Sequence, residues 1–119
     1  MPNPPDVAQI TAVELKARLD RGEAIAVLDV REPVERDYCS IALPPTAHDL
    51  FVPLGDLPSR LEEIRGVTGV SILVVYCHLG VRSMRAAGWL AHHGVMGLTN
   101  LEGGIDAWSA DVDPEVRRY

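Results

Sequence analysis

The sequence predicts an α/β fold, a central and mostly parallel sheet of four to five strands with helices on both faces. Two continuous apolar runs of strand length carry that expectation. Ala24-Ile25-Ala26-Val27-Leu28-Asp29-Val30 and Ile72-Leu73-Val74-Val75-Tyr76 read as strands buried on both faces, the habit of a parallel sheet. Segments of helical periodicity alternate with these runs, and that order of elements folds with helical crossovers. The length, 119 residues with 47% hydrophobic, suits one domain around one core.

Residues 1–8 are proline-rich and read as an extended arm, followed by one domain over 9–119. Thr11-Ala12-Val13-Glu14 is a capping box, and Ile10 and Leu15 are spaced as a hydrophobic staple. The helix they open carries Leu15 and Leu19 on one face and stops at Gly22. After the first buried strand, Pro33, Pro44, Pro45 and Pro53 punctuate a stretch that ends in a short strand near Leu50 to Val52. A helix follows from about Leu57 to Ile64, burying Leu57, Leu61 and Ile64. Beyond the second buried strand, Ser83 to His93 reads as a helix with Ala86, Ala87, Leu90 and Ala91 inward, ended by Gly94. A strand around Leu98 to Leu101 leads through Gly103-Gly104 to a short helix whose Ile105 and Trp108 belong to the core.

Composition narrows the function classes. Eleven basic and seventeen acidic residues give a net charge of −6, and Lys16 is the single lysine. Nucleic-acid binders carry basic stripes, so nucleic acid is not expected as a partner. The longest apolar run, Val70 to Cys77 broken by Ser71, is far short of the roughly 20 residues of a membrane helix. The opening residues lack the basic and apolar parts of a signal peptide. A soluble, cytoplasmic protein without a membrane partner is the expectation. Two cysteines, Cys39 and Cys77, do not make a disulfide scaffold and leave a thiol free for chemistry.

In parallel sheets ligands bind at the carboxyl ends of strands, here after Asp29 and Tyr76. Cys77-His78-Leu79-Gly80-Val81-Arg82-Ser83 follows the second buried strand and opens a helix. Such a loop turns backbone N–H groups, those of His78 to Arg82, inward on whatever the sulfur holds. Gly80 permits the left-handed turn that curls the loop back. The helix N-terminus adds about half a positive charge and Arg82 a whole one, and both favour the nucleophilic thiolate. Cys77 taken alone reads equally well as a buried, inert strand end; Gly80, Arg82 and the helix start favour the reactive reading. Arg82 either faces or braces the loop, or pairs with a surface carboxylate. His78 either touches a substrate or fills a permissive exposed position. His92 and His93, adjacent on a helix, point in different directions, and no metal site is read anywhere. Cys39 has no activating neighbour in sequence and reads as a spare thiol.

Three elements together resemble the rhodanese family of sulfurtransferases: Asp29-Val30-Arg31-Glu32, the loop Cys77 to Ser83 (the family's Cys-x-x-Gly-x-Arg-Ser), and Gly103-Gly104-Ile105-Asp106-Ala107-Trp108. The resemblance spans about residues 9 to 110. It implies a rhodanese-like fold and a two-step transfer without cofactor. Cys77 takes the sulfane sulfur of thiosulfate or of a persulfide, and a thiol, cyanide or a carrier protein removes it. It implies that Asp29, Arg31 and Ser83 support the loop. The family's Gly-His-Ile-x-Gly-Ala segment is replaced here by Cys39 to His48, so the border of the pocket is expected to differ in shape. The tail from Trp108 to Pro114 resembles the end of rhodanese domains fused to adenylyltransferases of cofactor sulfuration, which implies a sulfur-carrier or adenylyltransferase-type partner. Four residues separate Cys77 from Arg82, whereas phosphatases of this fold use five, a wider loop that fits a phosphoryl group. The alternative to catalysis is a noncatalytic rhodanese module that binds or regulates a partner.

Overall fold

The computed structural model describes residues 7–119. Five strands, β1 (Ala8–Ile10), β2 (Ile25–Asp29), β3 (His48–Phe51), β4 (Ile72–Tyr76) and β5 (Leu98–Leu101), form one sheet in the order β1-β5-β4-β2-β3. Every pairing is parallel. The helices are α1 (Ala12–Asp20), α2 (Pro33–Tyr38), α3 (Leu57–Arg65), α4 (Val81–His92) and α5 (Gly104–Asp111).

The apolar runs alternate between two cores, as the pleat of a strand requires. Ala26, Leu28, Leu73 and Val75 pack under Leu57 and Ile64 of α3 and Ala86, Ala87 and Leu90 of α4. Ile25, Val27, Val74 and Tyr76 pack on the other face with Leu15 and Leu19 of α1 and Ile105 and Trp108 of α5. Every residue of β2 is buried, which is why its sequence is apolar up to Asp29 rather than alternating. The expected staple is in place, with Ile10 and Leu15 both buried in the second core. Among the described residues, no helix is long and apolar enough to cross a membrane.

Two elements go beyond the sequence expectation. Ala8 is the first residue of β1, which pairs with β5 through Ala8 opposite Thr99 and Ile10 opposite Leu101, and Val7 is buried. Of the expected arm, residues 1–6 lie outside the described residues. Three residues on a sheet edge are too few to show a period. Helix α2 lies in the stretch read as punctuation, with Pro33 at its start, where proline's missing N–H and fixed φ are tolerated. It has only six residues and none is buried, so no apolar periodicity betrays it.

Strand order places the site. The connection from β2 runs outward to β3, while that from β4 runs the other way to β5. The carboxyl ends of β2 and β4 therefore flank the crevice where the chain reverses direction, the usual ligand position of such sheets.

The cap of α1 makes the first testable point. Glu14 N–H donates to Thr11 Oγ1 at 3.1 Å and Thr11 N–H to Glu14 Oε1 at 3.0 Å. Thr11→Ala is expected to cost about 1 kcal/mol, read as a lower urea midpoint. An unchanged midpoint would show that the cap adds nothing to stability.

Candidate active site

Strand β4 delivers Cys77 to the crevice with 1% of its surface exposed. The chain then turns at Gly80, whose φ of +103° is left-handed, and α4 begins at once with Val81, two residues before the expected start. Gly80 N–H donates to Cys77 Sγ at 3.1 Å. The N–H groups of the first turn of α4 have no intrahelical acceptor, so the loop ends in donors on the sulfur's side of the helix dipole.

A buried polar chain fixes the far side of the sulfur. Ser83 Oγ lies 3.3 Å from Cys77 Sγ and donates to Asn100 Oδ1 at 2.5 Å. The amide of Asn100 is oriented by its Nδ2, which donates to Gln9 Oε1 at 3.0 Å and to the Gly80 carbonyl at 3.4 Å. A hydroxyl has one proton, and with that proton on Asn100, Ser83 offers lone pairs to a Cys77 S–H. Rotation of the same hydroxyl turns its proton to a thiolate. Ser83 thus serves both protonation states of its neighbour.

The loop's outward carbonyls are held by α5. Ile105 N–H donates to the Cys77 carbonyl at 2.9 Å and Asp106 N–H to the His78 carbonyl at 3.1 Å. This contact explains the second of the paired glycines. Gly104 has φ +59°, and a Cβ there would lie 2.4 Å from the His78 oxygen and 2.6 Å from that of Cys77.

Arg82 is spent on a carboxylate. Its Nη1 and Nη2 donate to Glu35 Oε1 and Oε2 at 2.6 and 2.8 Å, tying α4 to α2. Glu35 also accepts from Glu32 N–H at 3.0 Å and from the Tyr119 hydroxyl at 2.7 Å. The Arg82 guanidinium is the chief reason its carboxyl is held down to about 2. Beneath this pair, Arg31 and Asp29 are fully buried. Arg31 donates to both oxygens of Asp29 at 2.9 and 2.8 Å, to the Cys39 carbonyl at 2.7 Å and to the Tyr119 hydroxyl at 3.0 Å. Cys39 and Cys77 are both free thiols, with Cys39 Sγ 3.6 Å from Arg31 Nη1.

The outer wall of the loop is divided. His78 lies face to face with Tyr119, ring centroids 3.9 Å apart, and its Nε2 is buried without a partner. Leu79 and Val81 are 58% and 69% exposed.

The family model described as Rhodanese-like domain matches residues 11–111. The chain belongs to the rhodanese-like domain family. It is 34% identical over 103 residues to a sulfurtransferase of Allochromatium vinosum, covering 87% of this chain and 89% of that protein. It is 33% identical over 110 residues to the probable adenylyltransferase/sulfurtransferase MoeZ of Mycobacterium tuberculosis, covering 92% of this chain. That match takes in only 26% of MoeZ, so the chain spans about a quarter of the adenylyltransferase relatives it resembles. A crystal structure of a rhodanese-related protein from Thermoplasma volcanium superposes with a TM-score of 0.73 at 28% identity, covering 94% of this chain and 99% of that one. Sulfurtransferase relatives and the rhodanese-like domain together support sulfur-transfer chemistry.

Within this rhodanese-like domain, the residues singled out from the sequence fall into two groups. Cys77, Gly80 and Ser83 converge on the sulfur. His78, Leu79, Val81 and Arg82 form the loop's outer wall, and Arg82 joins the two sequence readings, since it braces the loop by pairing with a carboxylate. Asp29 and Arg31 reach the loop indirectly, through the Glu35 carbonyl and Tyr119. Three participants were not singled out. Asn100 had a signal, an amide in a short strand framed by Leu98 and Leu101. Glu35 had a weaker one, three residues after Glu32 across a helix-starting proline. Tyr119 had none.

Two outcomes follow. Gly104→Ala is expected to cost at least about 2 kcal/mol through strain and clash, read by urea denaturation, with a displaced Cys77 loop in the crystal structure; a loss below about 0.5 kcal/mol would show that α5 does not press on the loop. The lowered Glu35 carboxyl contributes stability that is fully present above its ordinary value of about 4.5 and is lost as pH falls toward about 2. The stability of Glu35→Gln is therefore expected to depend less steeply on pH across that window, and an identical slope would contradict the pairing.

Proposed function

We propose that this protein is a sulfurtransferase that carries sulfane sulfur on Cys77, and that its donor is a persulfide in preference to thiosulfate. The observation that carries the reading is the Cys77 sulfur at the centre of a strand–loop–helix turn, touched by Gly80 N–H at 3.1 Å and by the Ser83 hydroxyl. In the first step the Cys77 thiolate attacks the outer sulfur of R–S–SH. A new S–S bond forms, the donor's S–S bond breaks, and its electron pair leaves on RS⁻. In the second step an acceptor thiolate attacks the outer sulfur of the Cys77 persulfide, and the Cys77 thiolate departs. Loop N–H groups stabilise the anionic sulfur in both steps, an electrostatic role of oxyanion-hole type. Two successive displacements through a covalent intermediate predict ping-pong kinetics.

The preference among donors rests on charge. Thiosulfate is a dianion, and the loop's one guanidinium is already neutralised by Glu35. The net charge of −6 opposes the approach of anions further. A thiol-borne persulfide needs no such cation. A sulfur-carrier or adenylyltransferase-type partner fits this reading, supported by the adenylyltransferase relatives of which the chain resembles one part. The cytoplasm is the reduced compartment in which two free thiols persist.

Intact mass decides. Wild type incubated with cysteine persulfide is expected to gain one sulfur atom and Cys77→Ser none, with loading from thiosulfate at least about tenfold slower and not falling as salt rises moderately. A wild type that gains no sulfur, or a Cys77→Ser protein that gains as much, would sink the catalytic reading.

A further inference from the structure

After α5 the chain doubles back along that helix to the loop. Val112 and Asp113 N–H both donate to the Trp108 carbonyl at 2.9 Å. Ser109 Oγ donates to the Val116 carbonyl at 2.6 Å, and the Val116 side chain is buried in the second core. Arg118 pairs with Asp106 at 3.0 Å. Asp106 is the residue whose N–H holds the His78 carbonyl, so the strap is fastened to the element that already backs the loop.

Tyr119 lies where this strap meets the site. Its hydroxyl accepts from Arg31 at 3.0 Å and donates to Glu35 at 2.7 Å, using both roles of a phenol. Burial pushes that phenol up to about 12, so it keeps its proton throughout the neutral range. Its ring lies on His78 at 3.9 Å with 11° between the planes, and Tyr38 meets it edge-on at 5.8 Å. One side chain therefore holds the loop at two places. Stacking holds it at His78, directly after the sulfur, and Glu35 holds it at Arg82, in the first turn of α4. Gly80, whose N–H reaches the sulfur, lies between the two.

We propose that Tyr119 is a positioning residue for the Cys77 loop, and that segment 113–119 is part of the active site because it seats that residue. The kinetic consequence rests on the sulfurtransferase reading; the structural one does not. With the ring and hydroxyl in place, the Gly80 N–H stays aimed at the sulfur in the free and loaded forms. Without them, His78 loses its stacking partner and Glu35, which holds Arg82, loses a donor, while the fold, fastened by Ser109 and Val116, stays intact.

The test compares full-chain wild type, Tyr119→Phe and Tyr119→Ala by NMR and by the rate at which Cys77 gains sulfur from cysteine persulfide. In Tyr119→Ala the Gly80 amide and His78 ring resonances are expected to move, and loading to slow about tenfold, the combined loss of the stacking on His78 and of the hydroxyl's hydrogen bonds. Loading should still reach one sulfur per chain, which separates misplacement from partial unfolding. Tyr119→Phe keeps the ring, so the ring-current shift of His78 is retained and loading slows about threefold through the lost bonds to Glu35 and Arg31. Unmoved Gly80 and His78 resonances in Tyr119→Ala, or loading within about twofold of wild type, would overturn the proposal. If Tyr119→Ala does not fold, Tyr119→Phe decides by the same Gly80 shift and loading rate. If wild type itself gains no sulfur, the sulfurtransferase reading fails, and the two resonances alone decide whether Tyr119 positions the loop.

Discussion

A peptide unit carries its N–H and its carbonyl on opposite edges, so a loop that aims N–H groups at a sulfur must turn carbonyls away from it. In this protein the carbonyls of Cys77 and His78 face the protein, where leaving each unpaired would cost about 1–3 kcal/mol. The first N–H groups of α5 are equally in need of acceptors. Ile105 and Asp106 meet the two carbonyls at 2.9 and 3.1 Å, and each set of orphan groups satisfies the other. That exchange demands that the backbone of α5 touch the backbone of the loop, and Gly104 makes the approach possible. The joint between β5 and α5 is thus shaped by what the sulfur requires.

The positive charges near the site do structural duty. Arg31 is fully buried against Asp29, and losing one partner of such a pair costs about 3–5 kcal/mol. Its remaining donors hold the Glu35 and Cys39 carbonyls, which pins the carboxyl-terminal half of α2. Arg82 then anchors α4 to the same helix through Glu35. The groups that face Cys77 are the Gly80 N–H, the Ser83 hydroxyl and the start of α4, while the Arg82 guanidinium is paired with Glu35. Dipoles of this kind favour one anionic sulfur close by and fall off quickly beyond it.

What the sequence disclosed follows from how each feature is encoded. Strands β4 and β5 lie at the expected bounds: β4 is an unbroken apolar run because it is buried, and β5 is framed by Leu98 and Leu101 with glycines just outside. The Cys77 loop was legible because its needs are local: a strand end, a left-handed glycine and a helix start within a few residues. Helix α2 was not, since its six residues bury no side chain and their stability comes from Arg31, Arg82 and Tyr119. Asn100 and Glu35 act through partners 17 and 47 residues away, and such pairings exist only once the sheet has set the distances. Arg82 shows the same limit from the other side: its charge was plain in the sequence, but its neutralisation by Glu35 depends on a helix that left no periodic trace.

The exposure of the loop residues bears on how a buried cysteine can serve a bulky acceptor. The Cys77 thiol is 1% exposed, while Leu79 and Val81 on the same loop are 58% and 69% exposed. Adding a sulfur extends the side chain by one S–S bond, about 2 Å. The unloaded thiol is screened by Gly80 and Ser83, so the outer sulfur of a donor persulfide has to enter the loop to meet it. On the proposed sulfurtransferase reading, Leu79 and Val81 are the exposed apolar residues of the loop that an acceptor protein would meet. Burial of the nucleophile and service to a macromolecular acceptor are therefore compatible, because the group that is handed over is not the group that is hidden.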